Sequence, residues 1–295
     1  MGHKPKVGLA LGSGGARGLC HLGVLSVLEE MGIEAAIIAG CSAGALVGAA
    51  EAGGKRHDLE TWARALTQGS FLQLVDLRPS RGGLFAGREI SNVLGRWGLD
   101  CDIEELDRRF VAVATDLETG REVWLREGPL LPAVRASVSM PGLFTPQLLD
   151  GKWLVDGGLT NPVPISVARA LGADVIIAVN PNAKPTGRIW VPERGGDIWD
   201  AIGERLGDFL PAGWLSAGED GPPPPQGTEV VNAALDMLME YLRRTRLAAD
   251  PPDVMIDVDL RDLSVMSFHE AARAIDAGRA AAEASAGLIR EALEA

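Results

Sequence analysis

Five residues, Gly40-Cys41-Ser42-Ala43-Gly44, carry the strongest chemical signal in the sequence. They form a GxSxG that follows the apolar run Ile33 to Ala39 and precedes the helix-compatible run Ala43 to Ala52. A nucleophilic serine needs that context. A tight strand-to-helix turn forces the side chain outward, and glycines two residues to either side let neighbouring backbone approach without a Cβ clash. The helix that starts there aims its first amides at the reacting centre. Small-residue turns also serve packing alone, so the reading depends on what accompanies the serine.

A hydroxyl nucleophile needs a base. The chain has four histidines, His3, His21, His57 and His269. A triad requires one on a loop at a strand end. His57 sits in a charge-rich helical run and His269 in the first turn of the last helix, which are positions of surface or capping residues. No histidine pair has a metal-ligand spacing such as HExxH, so neither a metal nor a cofactor is expected. The other base available is a carboxylate. Asp156 ends the apolar strand Trp153-Leu154-Val155 and is followed by Gly157-Gly158. On a tight, partly desolvated turn its pKa rises, and it becomes a better proton acceptor near neutral pH. The competing role for such an Asp-Gly pair is turn formation alone.

A second glycine-rich turn, Gly12-Ser13-Gly14-Gly15-Ala16-Arg17-Gly18, follows the first strand and opens the first helix. A dinucleotide fingerprint needs glycine at its sixth position, where this turn has Arg17, and no Lys-Ser/Thr follows to make a P-loop. Consecutive amides at a helix start suit an oxyanion as well as a phosphate. If the turn lies beside Ser42, the amides of Gly14 and Gly15 form an oxyanion hole. Arg17 has two open roles, an ion pair that fastens this turn or a contact with a substrate phosphate.

The elements that must position these groups alternate between strand and helix. Val7–Leu11, Ile33–Ala39, Phe110–Ala114, Asp174–Val179 and Val254–Val258 read as strands, the longer ones continuously apolar and so covered on both faces. Ala16–Met31, Ala43–Ala52, His57–Thr67, Gly87–Trp97 and Ser267–Glu294 read as helices. Ser267 with Glu270 has the form of a capping box. Gln147 to Val155 reads as two strands joined by an Asp150-Gly151 hairpin turn. The alternation predicts a mostly parallel sheet between helical layers.

Composition limits the alternatives. At 295 residues, 46% apolar, the chain can bury a full core. A net charge of −12 argues against nucleic-acid partners and against electrostatic capture by anionic membranes. Cys20, Cys41 and Cys101 are odd in number and form no CxxC, which points to free thiols and a reducing compartment. Val7–Leu11 is too short for a signal-peptide core, and the uncharged residues 35–50 are too few to span a bilayer. A cytoplasmic protein is expected, read as one domain over residues 1–295 with an excursion at about 182–228. That excursion holds the run Pro222 to Pro225 and a helical face that includes Trp199, Phe209 and Leu210. It reads either as an interfacial cap for transient membrane-surface or micelle contact, with Trp190 and Trp214 at its edges, or as a face packed on the body.

Taken together, the motifs resemble those of the bacterial patatin-like phospholipase family. The matches run in order: the turn Gly12–Gly18, the GxSxG at Gly40–Gly44, Ala114–Gly120, Ala136–Pro146, the DGG at Asp156–Gly158, and Asn161-Pro-Val-Pro164. The resemblance implies a three-layer α/β/α sandwich, Ser42 as nucleophile, Asp156 as its base, and the turn Gly12, Ser13, Gly14, Gly15 as oxyanion hole. It implies hydrolysis of lipid carboxylic esters without a metal. The alternatives are an acyltransferase using the same serine and a non-hydrolytic regulatory protein on the same fold. Oligomeric state is not legible.

Overall fold

The computed structural model describes residues 5–69, 77–80, 83–85, 87–183 and 227–295. The strands are β1 (Val7–Leu11), β2 (Ala35–Cys41), β3 (Leu77–Ser80), β4 (Gly83–Phe85), β5 (Arg109–Asp116), β6 (Glu122–Leu125), β7 (Gly142–Phe144), β8 (Gln147–Leu149), β9 (Lys152–Asp156), β10 (Val175–Asn180) and β11 (Val254–Asp257). The helices are α1 (Cys20–Glu30), α2 (Ala43–Ala52), α3 (Arg56–Arg64), α4 (Arg88–Arg96), α5 (Leu130–Ser137), α6 (Ile165–Ala170), α7 (Gly227–Ala249) and α8 (Ala271–Glu294).

Strands β11, β10, β1, β2 and β5 lie side by side and parallel, as their continuous apolar runs require. Their side chains alternate between two buried layers. Leu9, Leu11, Ile38 and Phe110 pack with Leu22 of α1, Val47 of α2 and Ile275 of α8. Ala10, Ile37, Val111 and Ile176 pack on the other face with Ile165 and Val167 of α6. The three-layer α/β/α arrangement follows, with a mostly parallel sheet. The sheet is not uniform, because β6, β8 and β9 join it antiparallel.

The pairing of β5 decides where the site forms. Strand β2 pairs with β5 as far as Cys41 opposite Val113. Strand β6 covers Ala112–Thr115, and β9 covers Ala114–Asp116. A strand has two edges, and both β2 and β9 overlap β6 along β5. They must therefore share the edge that β6 leaves open, β2 up to Val113 and β9 from Ala114 onward. The chain ends of β2 and β9 meet there.

Asp150 and Gly151 both have positive φ (49° and 76°), so the predicted hairpin turn between β8 and β9 is present. The expected Ser267–Glu270 capping box is not. Ser267 makes no side-chain cap bond, and a short 3-10 turn over Phe268–Glu270 precedes α8. A capping box forms instead at Asp102 and Glu105, over a 3-10 turn of only three residues. Most of the excursion, including Trp190, Trp199, Phe209, Leu210 and Trp214, lies outside the described residues.

Candidate active site

Strand β2 stops at Cys41, and α2 starts at Ala43, leaving Ser42 to make the corner at φ 54°, ψ −120°. A non-glycine residue held there costs on the order of 1–3 kcal/mol, so its surroundings must enforce it. The Ser42 amide donates to Ser137 Oγ at 2.9 Å, and the Ser137 hydroxyl donates in turn to Val113 O at 2.6 Å. The Ser42 carbonyl accepts from the amides of Ala45 (2.9 Å) and Leu46 (3.1 Å). Gly44 lets the first turn of α2 press against β1, where a Cβ would collide with the Leu11 carbonyl.

Asp156 ends β9 on the same edge. Its amide donates to Ser139 O at 2.9 Å, and its carbonyl accepts from Thr115 Oγ1 at 2.9 Å. Carboxylate Oδ1 accepts the Gly158 amide at 2.8 Å, while Oδ2 is buried without a well-formed partner. Burial pushes the Asp156 pKa up to about 6, against the lowering effects of the Ser42 hydroxyl and the Gly158 amide. The Ser42 hydroxyl therefore lies within reach of the carboxyl without closing a regular hydrogen bond to Oδ2. Both residues are only 4% exposed.

The glycine-rich turn packs against this corner, where a Cβ on Gly18 would collide with that of Ala43. Its amides divide into two groups. Gly12 donates to Val179 O (3.0 Å) and Ser13 to Pro162 O (2.8 Å), so the fold itself satisfies those two. Among the described residues, the amides of Gly14 and Gly15 have no acceptor. Of the four residues expected to form an oxyanion hole, Gly14 and Gly15 are the two whose amides the fold leaves open. Gly15 also needs its φ of +55°, and a side chain there would strike the Val265 carbonyl.

Arg17 is buried. Its Nε donates to Leu263 O (2.7 Å), and its Nη1 contacts Asn182 Oδ1 (3.1 Å) and Asp236 Oδ2 (3.4 Å). These contacts tie the turn to Leu263, Asn182 and Asp236. His57 is exposed beside Glu29 and Arg56, and His269 lies in the 3-10 turn before α8. Among the described residues, no histidine bonds Ser42 or Asp156. Cys41 is buried on the opposite face of β2, and burial drives its thiol pKa well up, so it packs as a neutral thiol.

An apolar cavity of about 110 Å³ opens beside Ser42 and Gly15. Leu46, Trp62, Ile90, Val93, Leu143 and Phe268 contribute to its walls. A smaller cavity of about 20 Å³, lined by Ser13, Gly14, Asp156 and Asp236, adjoins it across Met140 and Val265. Two polar residues of this neighbourhood escaped the reading of the sequence. Ser137 was visible only as part of the stretch Ala136–Pro146. His21 is fully buried, and its Nε2–H donates to the Gly12 carbonyl at 2.8 Å.

A serine held at a strand–helix corner of an α/β sandwich is the nucleophile arrangement of acyl-transfer enzymes, esterases and phospholipases among them. The patatin (patatin-like phospholipase) family profile matches residues 9–169, and the chain belongs to that family. An uncharacterized NTE family protein of Mycobacterium tuberculosis is 34% identical over 329 aligned positions, covering 94% of this chain and 90% of that one. Neuropathy target esterase sws of Drosophila melanogaster is 35% identical over 181 residues, 59% of this chain and 13% of that protein. Patatin-like phospholipase domain-containing protein 6 of Mus musculus is 34% identical over 182 residues, with the same coverage. Among solved structures, VipD from Legionella pneumophila aligns at a TM-score of 0.49 with 13% identity, over 98% of this chain and 67% of that one. Among the described residues, no helix is long and apolar enough to cross a membrane.

Proposed function

We propose that this enzyme hydrolyses lipid carboxylic esters through a Ser42–Asp156 dyad and an acyl-enzyme intermediate. Asp156 takes the Ser42 hydroxyl proton as Oγ bonds to the ester carbonyl carbon. The carbonyl oxygen becomes an oxyanion held by the amides of Gly14 and Gly15. Collapse breaks the ester C–O bond, and the proton on Asp156 passes to the leaving alcohol. Asp156 then takes a proton from water, which attacks the acyl carbon. The Oγ–C bond breaks, Ser42 regains its proton from Asp156, and the fatty acid leaves.

The observation that carries this reading is the partly unsatisfied Asp156 carboxyl, its pKa raised to about 6 by burial, facing the strained Ser42. A carboxylate with that pKa is a competent base near neutral pH. Oxyanion donors of this kind are each worth about 3 kcal/mol in the transition state. The apolar cavity beside Ser42 suits an acyl chain, which makes a phospholipid, lysophospholipid or acylglycerol the substrate class. A lipid of that class is presented at a membrane or micelle surface, and transient contact with such a surface is part of this reading.

The test measures free fatty acid released from a panel of acylglycerols, phospholipids and lysophospholipids. Release of fatty acid that vanishes in Ser42→Ala supports the reading. Transfer of the acyl chain to added alcohols with no net hydrolysis would assign a transacylase, and silence on every ester would assign a binding protein.

A further inference from the structure

His21 stands out among groups that the proposed chemistry does not use. It lies in an otherwise apolar, fully buried stretch of α1, and its Nδ1 is buried with no partner. An unpaired polar atom in a protein interior costs about 1–3 kcal/mol. A leucine there would avoid that cost, so the other ring nitrogen is the informative one. Nε2 lies 2.8 Å from the Gly12 carbonyl oxygen, an acceptor only, so the proton sits on Nε2. Burial lowers the His21 pKa to about 4, and the ring is neutral at physiological pH.

The peptide that His21 grips is the one joining Gly12 to Ser13. Its carbonyl accepts from His21, and its N–H donates to Pro162 O at 2.8 Å. Among the described residues, His21 is the hydrogen-bond donor to that carbonyl. A peptide that follows a glycine has extra freedom to rotate, and turning this one over would reverse its dipole at the entrance to the turn. Gly14 and Gly15, with their free amides, follow directly.

We propose that His21 is a positioning residue. Its Nε2–H clamps the Gly12–Ser13 peptide from behind, so that the next two amides stay aimed at the oxyanion. The proposal rests on the acyl-transfer reading above, and it assigns no proton transfer to the ring.

Two variants of nearly equal shape separate the bond from the packing. His21→Gln keeps a donor near the Nε2 position, whereas His21→Met fills the space without one. We expect His21→Met to lower kcat roughly 30-fold with KM within about two-fold, since misplaced oxyanion donors act on the transition state. His21→Gln should recover to within about five-fold of the parent. The affinity of a trifluoromethyl ketone transition-state mimic should fall in step with kcat, while the two variants melt at similar temperatures. The unaltered enzyme gives a second readout, a long-range 1H–15N spectrum in which His21 is the neutral Nε2–H tautomer. Equal kcat in the Gln and Met variants, or an Nδ1–H tautomer, overturns the proposal. If Ser42→Ala retains turnover, the acyl-transfer reading fails instead, whichever tautomer is seen.

Discussion

Asp156 pairs with Ala114 one position beyond Val113, the partner of Cys41, so Ser42 and Asp156 emerge from neighbouring points on one edge of β5. Strand β2 arrives parallel to β5 and leaves into α2, while β9 arrives antiparallel and leaves into Gly157-Gly158. The two strand ends face each other across the gap between them. Neither side chain needs a long loop to reach the other, and Ser137 ties the Ser42 amide to the Val113 carbonyl at the junction.

The raised pKa of Asp156 fixes the acid side of the pH profile. The base form is the carboxylate, so kcat/KM should fall about tenfold per pH unit below an apparent pKa near 6. Initial rates on a soluble ester from pH 4.5 to 8 measure it. A limb near pH 4, the ordinary carboxylate range, would mean that burial does not tune this group.

The same shift has a consequence for stability, of opposite sign to its benefit for catalysis. A carboxyl whose folded pKa lies above its unfolded value binds protons more readily in the folded state. Its charge therefore destabilises the fold above about pH 6, and the penalty fades as pH falls toward 4. Asp156→Asn removes the charge and keeps an oxygen for the Gly158 amide. The variant should be inactive yet more stable than the parent at pH 8, by about 2–3 kcal/mol, with no gain at pH 4. Thermal or urea unfolding at the two pH values measures the difference.

Ser137→Ala removes the bridge between the Ser42 amide and Val113 O, leaving both groups buried without it. We expect a loss of about 1–3 kcal/mol in stability. A drop in kcat should exceed any change in KM, because the corner that presents Ser42 relaxes. Unfolding and steady-state kinetics on the same preparation separate the two effects.

The cavity beside Ser42 should set acyl-chain preference. Leu46, on α2 one turn past the serine, forms part of its wall. Leu46→Trp narrows the cavity, and kcat/KM for long acyl chains should fall at least tenfold more than for acetate or butyrate esters. A uniform loss across chain lengths would place the acyl group elsewhere.

The corner at Ser42 was legible because its determinants are local: an apolar strand, glycines at fixed offsets and a helix-forming run. The Asp150-Gly151 turn was legible for the same reason, since both residues take positive φ. Contacts between distant residues were not. Nothing local marks Ser137 as the acceptor for Ser42, or Gly12 as the acceptor for His21. The division of the glycine-rich turn was hidden as well, because the acceptors for Gly12 and Ser13 are the carbonyls of Val179 and Pro162. Strand direction also depends on distant partners, and the short strands β4 and β7 pair across a long stretch of chain. Ser267 misled because its capping pattern assumes an α-helix starting at once, whereas a 3-10 turn intervenes before Ala271. At Asp102 the reverse holds: its capping box covers an element too short to show a period.

The claim that one hydroxyl and one carboxylate do the chemistry is tested most directly by mapping a fluorophosphonate adduct in three proteins. The parent should carry a single adduct, on Ser42. Ser42→Ala should carry none, and Asp156→Asn should label at least about a hundredfold more slowly while remaining folded. An adduct on another residue, or labelling of Asp156→Asn at the parent rate, would contradict the account.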